Sequence, residues 1–157
     1  MPDSSASFRP PPVERRIERR VGASTDPSLT WLGQHHLRLG GCEFYCAYPF
    51  KDVPEGHLPV MKTRSEVEGY AQLASEGDQA RIVELGIHSG GSTALLRELF
   101  RPERLVAVER DDAPVAALER YITDWRLEDV VRPQYGVDQS DRARLTEILD
   151  EEFGDDP

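Results

Sequence analysis

Apolar residues in the second half of the chain form three short runs, separated by stretches in which apolar residues recur every three or four positions. The runs cover residues 82–85, 105–109 and 130–135. The first is β-branched and aliphatic, and the second is apolar until its last residue, Glu109, as expected for parallel strands buried on both faces. Strands that alternate with helical stretches predict an α/β fold.

A helix is predicted before the first of these strands. Residues Thr63 to Glu66 form a capping box, which begins a helix over residues 64–75, and Gly77 stands where its C′ residue belongs. We expect the apolar stripe of this helix to pack on the sheet. The stripe consists of Val67, Tyr70, Ala71 and Ala74.

Three further helices are predicted to follow the three strands. They cover residues 92–100, 115–125 and 142–153. Asp111 or Asp112 would cap the second of them, with Pro114 in its first turn. The third run contains Pro133, which has no backbone N–H to donate to a ladder, so its strand is predicted to lie at a sheet edge. That position fits a parallel sheet in the order 3-2-1.

A glycine-rich loop joins the first strand to the helix that follows it. Residues 81–93 read Arg-Ile-Val-Glu-Leu-Gly-Ile-His-Ser-Gly-Gly-Ser-Thr, and a strand, a glycine loop and a helix N-terminus are typical of a nucleotide site. A dinucleotide fingerprint needs glycine at the position of His88, and a P-loop needs lysine at the position of Ser92. The pattern that remains is Glu84-x-Gly86-x-x-x-Gly90. The glycines could instead serve only the packing of the strand on the helix.

This pattern resembles motif I of the class I S-adenosylmethionine-dependent methyltransferases. The residues Gly90-Gly91-Ser92-Thr93 resemble the branch with the cephalosporin-hydroxylase-like and macrolide-sugar O-methyltransferases. The resemblance covers about residues 64–157 and implies a Rossmann-like three-layer sandwich that binds S-adenosylmethionine. The family's fourth strand ends in acidic residues that can bind a divalent metal or act in catalysis. We expect the chain to be truncated before that strand and to hold only the cofactor-binding half.

Candidate cofactor contacts lie in the glycine loop, after the second strand and after the third strand. Glu109 follows Gly90 at about the 20-residue separation between a glycine loop and an acid that binds ribose hydroxyls. The resemblance implies that the turn at residues 137–139 contacts adenine, although Asp138 could equally cap the last helix. The full set of candidate contacts is Glu84, Gly86, Ile87, His88, Gly90, Gly91, Ser92, Glu109, Arg110, Val137, Asp138 and Gln139.

The resemblance implies an enzyme that transfers a methyl group from S-adenosylmethionine to an oxygen, or a nitrogen, of a small molecule such as a sugar or a secondary metabolite. No catalytic residue is assigned, because a loop histidine such as His88 more often presents its backbone than acts as a base. No metal ligand is assigned within the chain. Two alternatives stay open: an oxidoreductase that binds NAD, which Glu109 also fits, and a truncated module that binds without catalysis.

Composition excludes several classes of protein. The 157 residues include 38% hydrophobic and 31% charged residues, which indicates a globular domain. No apolar run approaches the roughly 20 residues that span a bilayer, and the N-terminus has no apolar signal region. A net charge of −10 without a basic face argues against a nucleic-acid partner. Two cysteines do not form a disulfide scaffold, so we predict a cytoplasmic protein.

Histidines and cysteines occur before the glycine loop. They are His35, His36, Cys42, Cys46 and His57. A zinc site would need a second matched pair of ligands, and none follows Cys42 and Cys46, so we expect these residues to pack in the fold. Weak alternation over residues 42–48 predicts a short strand. The aromatic residues in and just after this strand could cover the cofactor or a dimer partner. They are Phe44, Tyr45, Tyr48 and Phe50.

Three segments are therefore expected along the chain. Residues 1–40 are predicted to be a disordered or irregular tail, residues 41–80 a lid or helical segment, and residues 81–157 the cofactor-binding half of a methyltransferase domain. A half-sheet leaves the apolar edge of its first strand unpaired, so a homo-oligomer is one way in which that edge could be covered.

Overall fold

The computed structural model describes residues 29–47, 52–77 and 79–154, which form two sheets and four helices. Most of the predicted tail lies outside these residues, as do Tyr48 and Phe50. The strands are β1 Thr30–Trp31, β2 His36–Leu39, β3 Cys42–Cys46, β4 Leu58–Val60, β5 Arg81–Leu85, β6 Arg104–Val108 and β7 Val131–Gln134. The helices are α1 Arg64–Ser75, α2 Gly91–Phe100, α3 Ala116–Trp125 and α4 Arg142–Phe153.

Strands β5, β6 and β7 form a parallel sheet in that order. The predicted α/β class and the 3-2-1 strand order are confirmed. On the central strand, Leu105 and Ala107 join the core cluster that includes residues of α2 and α3, whereas Val106 and Val108 join Ile148 of α4 in a second cluster. Helices therefore cover β6 on both faces, which is compatible with a Rossmann-like fold.

Strand β5 is the opposite edge of this sheet, and the prediction that it is buried on both faces is wrong. Val83 is 42% exposed and Leu85 is 55% exposed. The apolar run identified a strand correctly, and the unpaired edge expected for this strand is present among the described residues, but the run could not reveal that one face of the strand stays exposed. Helix α4 packs on β6 and leaves these two side chains uncovered.

A second, mixed sheet precedes α1, in the order β1-β2-β3-β4. The predicted strand over residues 42–48 is confirmed as β3, but the prediction of an irregular segment up to residue 40 is wrong, because β1 and β2 lie within it. The signal that could have found β2 is the turn Gly40-Gly41, whose φ angles of 62° and 92° suit a two-residue hairpin. Inward-facing residues of this sheet are buried: Leu37, Leu39, Cys42 and Phe44.

A buried carboxylate joins this hairpin to the helices. Glu98 of α2 is fully buried, and its Oε1 accepts hydrogen bonds from the Tyr121 hydroxyl and from Arg97 Nη1, both at 2.7 Å. Gly40 lies so close to Glu98 Oε2 that a Cβ at this position would overlap it. The hairpin turn, α2 and α3 therefore meet at one side chain, which the helical pattern did not single out.

Helix α1 has the predicted bounds and the predicted capping box. The backbone N–H of Glu66 donates to Thr63 Oγ1 at 3.4 Å, and the N–H of Thr63 donates to Glu66 Oε2 at 2.7 Å. The expected packing of α1 on the sheet is only partly right, because its main neighbour is α2. Gly77 follows the C-cap residue Glu76, as expected, without a left-handed backbone.

The structure shows neither the cap predicted for α3 nor the cap considered as an alternative for α4. Helix α3 begins at Ala116 without a side-chain cap, and Asp111 instead accepts a hydrogen bond from the N–H of Ala113 at 3.1 Å. Helix α4 has the predicted bounds, but Asp141 is its cap and not Asp138. Aspartates are frequent in turns as well as at caps, so the residue type alone could not choose between these roles.

Candidate functional site

Three loops meet at the carboxyl end of the parallel sheet. The loop after β5 is fixed to β6 by a hydrogen bond from the N–H of Gly86 to the carbonyl of Val108, at 2.8 Å. The loop after β7 is fixed to the one after β6, since the N–H of Val137 donates to the carbonyl of Glu109 at 2.9 Å. The structure thus brings together the loops that hold the predicted cofactor contacts.

Glu109 follows β6 directly, and its carboxylate accepts four backbone N–H groups. Oε2 accepts from Ile87 at 3.0 Å and from His88 at 2.8 Å, while Oε1 accepts from Arg110 at 2.8 Å and from Asp111 at 3.2 Å. These hydrogen bonds, that of His88 above all, hold the pKa of Glu109 below its ordinary value of 4.5. Because a carboxylate has about four lone-pair sites, these backbone N–H groups occupy all the acceptor positions of Glu109.

Gly86 opens the loop and leaves space above its backbone. Its φ is +91°, a conformation that favours glycine, and a Cβ built at this position would meet no atom within 4 Å. His88 also has a positive φ, of 52°, and is exposed. The first half of the loop therefore has open space at Gly86, one residue before Ile87, whose N–H donates to the Glu109 carboxylate.

Gly90 and Gly91 end the loop, and atoms of other elements lie close to both of them. A Cβ on Gly90 would lie 2.7 Å from the Cβ of Leu118, and a Cβ on Gly91 would overlap the carbonyl group of Pro59. The hydroxyl of Ser89 donates to the same Pro59 carbonyl at 3.0 Å. These two glycines allow α3 and β4 to approach the helix N-terminus. No local pattern in the sequence indicates the contact with Pro59, since β4 lies about thirty residues earlier in the chain.

Glu84 points from β5 toward the start of α2. Its carboxylate accepts hydrogen bonds from the hydroxyls of Ser92 at 2.5 Å and Thr93 at 2.6 Å. Burial raises the pKa of Glu84 above its ordinary value of 4.5, and the two hydroxyls act in the opposite direction. Glu84 and Ser92 thus fasten the strand to the helix.

The remaining candidates lie in the loops after β6 and β7. Val137 is buried, whereas Arg110, Asp138 and Gln139 are exposed. Asp138 accepts hydrogen bonds from the N–H and the hydroxyl of Ser140, at 2.8 and 2.7 Å. These bonds hold the pKa of Asp138 below its ordinary value, with the Ser140 N–H as the largest cause. Arg110 and Gln139 are accessible to a ligand on the loop surface.

A groove of about 530 Å³ runs along the free edge of β5. Three candidate residues line it, Glu84, Gly86 and Ser92, whereas Glu109 and residues 137–139 do not. Apolar side chains of two helices line it, namely Tyr70 and Leu73 of α1 with Leu96 and Phe100 of α2. Polar and charged side chains also line it: Lys62, Gln79 and Arg81. The groove therefore meets the candidate cofactor site only at the start of the glycine loop.

The histidines and cysteines before the loop have structural contacts. His35 Nδ1 lies 3.0 Å from the carbonyl of Cys46, and His57 Nε2 lies 3.1 Å from Glu43. Among residues 29–47, 52–77 and 79–154, no group of three or more histidine, cysteine or acidic residues could hold a metal ion. No helix in these ranges has the length and apolar character needed to cross a membrane.

No family model, no curated protein and no solved structure matches the chain. The resemblance to methyltransferases therefore rests on the residues of the glycine loop and of the strand ends alone.

Proposed function

We propose that the chain binds S-adenosylmethionine at the carboxyl end of β5 and β6 and forms the cofactor-binding part of a methyltransferase. The observation that supports this most is the open backbone at Gly86, which precedes Ile87, a backbone donor to the carboxylate of Glu109. A backbone without a side chain lets a ligand approach closely, and an acid at the next strand end can accept hydrogen bonds from ribose hydroxyls.

To bind a ribose, the Glu109 carboxylate would have to accept hydrogen bonds from ribose hydroxyls in place of some backbone N–H groups. Its four acceptor positions are taken by backbone N–H groups, so two hydroxyls must replace some of them. The N–H groups of Ile87 and His88 are the natural ones to be released, because they belong to the loop that borders the ligand. The turn at residues 137–139 would meet the adenine, with the exposed Gln139 as its amide side chain.

S-adenosylmethionine would supply an activated methyl group, and the chain would act mainly by holding the reacting atoms in line. The acceptor would be an oxygen or a nitrogen of a small molecule, such as a sugar or a secondary metabolite. His88 is exposed on the loop with a positive φ, and we assign it no catalytic role.

Calorimetric titration with S-adenosylhomocysteine tests the proposal. We expect the wild-type chain to bind and Glu109→Ala to bind at least about tenfold more weakly, since a bidentate contact with the ribose is lost. Glu103→Ala is the matched control, because Glu103 is exposed and precedes the same strand at its other end. Circular dichroism establishes that all three proteins are folded.

The outcomes separate the open alternatives. Binding of NAD in place of S-adenosylhomocysteine, with the same loss in Glu109→Ala, would replace the proposed cofactor by a dinucleotide. Equal affinity of Glu109→Ala and the wild-type chain for S-adenosylhomocysteine would show that the ligand binds elsewhere. Failure of a folded wild-type chain to bind either ligand would contradict the proposal.

A further inference from the structure

Glycine loops that lead into a helix often bind phosphates, because their backbone N–H groups and the helix N-terminus attract anions. The loop between β5 and α2 covers residues 86–90 and contains no acidic residue, and neither does the first turn of α2. In the structure, however, donors of this loop and of this helix end are directed to two glutamates of the chain itself.

Glu109 supplies the anion that the glycine loop binds. Its Oε2 accepts the N–H groups of Ile87 and His88, at 3.0 and 2.8 Å, and the N–H groups of Gly86 and Gly90 donate to backbone carbonyls. Four of the five loop residues therefore use their backbone N–H within the chain. The hydrogen bonds to Glu109 lower its pKa below the ordinary value of 4.5, so the side chain is ionised at neutral pH.

The hydroxyls at the start of α2 are directed to the second carboxylate. Ser92 and Thr93 donate to the two oxygens of Glu84, at 2.5 and 2.6 Å. In a P-loop, a lysine that contacts the phosphates stands at the position of Ser92. This loop has a hydroxyl in place of that cation, and the hydroxyl already has an acceptor.

Two cations near the loop act on acids of the chain. Lys62 acts to lower the pKa of Glu84, and Arg110 acts to lower the pKa of Asp138, so each cation lies close enough to attract that carboxylate. The chain as a whole has a net charge of −10. A phosphate that approached the loop would therefore meet carboxylates and a negative overall potential.

Glu109 distinguishes ligand groups by whether they donate hydrogen bonds. A ribose hydroxyl can donate to the carboxylate in place of a backbone N–H. A phosphate oxygen at neutral pH is a negatively charged acceptor, so it cannot replace these donors and is repelled by the ionised carboxylate. When the ribose of a nucleotide lies at the acid after the second strand, its phosphate lies at the glycine loop. The repulsion therefore acts on the phosphate of any nucleotide bound in this way.

We propose that Glu109, together with Glu84, makes the site selective for a nucleoside that carries no phosphate. This selectivity rests on the proposed function, which places a ribose at Glu109. The group at the 5′ carbon of the ligand is then neutral or positively charged, as a sulfonium is. NAD would bring its pyrophosphate to the loop, so the same carboxylates disfavour a dinucleotide.

Calorimetric titration of the full chain with adenosine, AMP and ADP tests the selectivity, with S-adenosylhomocysteine as a fourth ligand. We expect the affinity of the wild type to fall along this series, by at least about tenfold from adenosine to ADP. The difference should shrink as ionic strength rises, because salt screens the repulsion. A purely structural role of Glu109 would not make affinity depend on the charge of the ligand.

Glu109→Gln and Glu84→Gln remove a charge and keep the size of the side chain. We expect the ratio of the dissociation constants for ADP and adenosine to fall at least about tenfold in Glu109→Gln. The change should be smaller in Glu84→Gln, because burial raises the pKa of Glu84 and so reduces its charge. Glu103→Gln is the matched control, since Glu103 is exposed at the other end of β6, and it should keep the wild-type ratio.

The outcomes separate the selectivity from the proposed cofactor. Equal affinity of the folded wild type for adenosine and ADP overturns the selectivity, even if S-adenosylhomocysteine binds. A wild-type ratio in folded Glu109→Gln also overturns it. Binding of adenosine without binding of ADP or S-adenosylhomocysteine supports the selectivity and contradicts the proposed cofactor, whereas failure of both adenosine and S-adenosylhomocysteine to bind contradicts both. The wild-type series decides the question even if a variant does not fold.

Discussion

The two halves of the glycine loop differ in what their backbone faces. At Gly86 the backbone borders open space, whereas at Gly90 and Gly91 it is pressed against Leu118 and Pro59. One glycine pattern in the sequence thus serves two purposes. The first half leaves room for a ligand, and the second half allows α2 to begin close to β4 and α3.

The two glutamates of the site also differ in their surroundings. Glu84 is buried between β5 and α2 and accepts two side-chain hydroxyls, while Glu109 lies at a strand end and accepts four backbone N–H groups. Burial raises the pKa of the first, and hydrogen bonds lower the pKa of the second. A residue type and its spacing do not reveal which of these environments the fold provides.

The largest effect is expected for Gly91→Ala. Its new methyl group would overlap the backbone carbonyl of Pro59, which cannot move as a flexible side chain would, so we expect a loss of about 3 kcal/mol in the free energy of unfolding. Urea denaturation measures this loss. Gly69→Ala is the control within α1, where nothing lies near the new Cβ, and it should stabilise the chain by about 0.5–1 kcal/mol. Equal stability of the two variants would contradict the packing role of Gly91.

A smaller loss of stability is expected for Gly86→Ala. The space is open, so the cost is the backbone strain of a positive φ, about 1 kcal/mol. Gly56→Ala is the matched control, because its φ of +78° and its open surroundings are alike. If the loop binds the proposed cofactor, only Gly86→Ala should also weaken the binding of S-adenosylhomocysteine in calorimetric titration. Equal affinities of the two variants for S-adenosylhomocysteine would show that Gly86 does not border the ligand.

The smallest effects are expected from the two glutamates, and they should have opposite signs. The lowered pKa of Glu109 stabilises the fold above its ordinary value of 4.5, and this stabilisation is lost as the pH falls through the folded pKa. The raised pKa of Glu84 acts in the other direction, since its contribution is complete below 4.5 and is lost as the pH rises through the folded pKa.

Denaturation between about pH 3 and pH 7 measures this difference. Relative to the wild type, Glu109→Gln should lose stability as the pH rises, and Glu84→Gln should gain it. The pair of variants controls for general effects of pH on the chain. Parallel curves for the two variants would show that the two environments do not differ as the structure indicates.

Much of the parallel sheet was predictable because its signals are local. The capping box at Thr63 and the periodic apolar residues predicted the bounds of α1, and Pro133 identified an edge strand. Errors arose where a residue type has several local uses. Asp111 and Asp138 hold turns instead of capping helices, and β2 was missed although its residues alternate between polar and apolar, because a run of four residues is a weak signal.

By itself, the sequence determined the order of strands and helices from α1 to α4, the position of the glycine loop and the carboxylate at the end of β6. These features depend on residues that are close in the chain, where periodicity and turn preferences act. Only the tertiary structure decided that the side chains of Val83 and Leu85 in β5 are exposed, that Glu109 is saturated by backbone N–H groups, and that Gly91 meets Pro59. Such features join residues that are distant along the chain or depend on which helices cover a strand, so no local pattern encodes them.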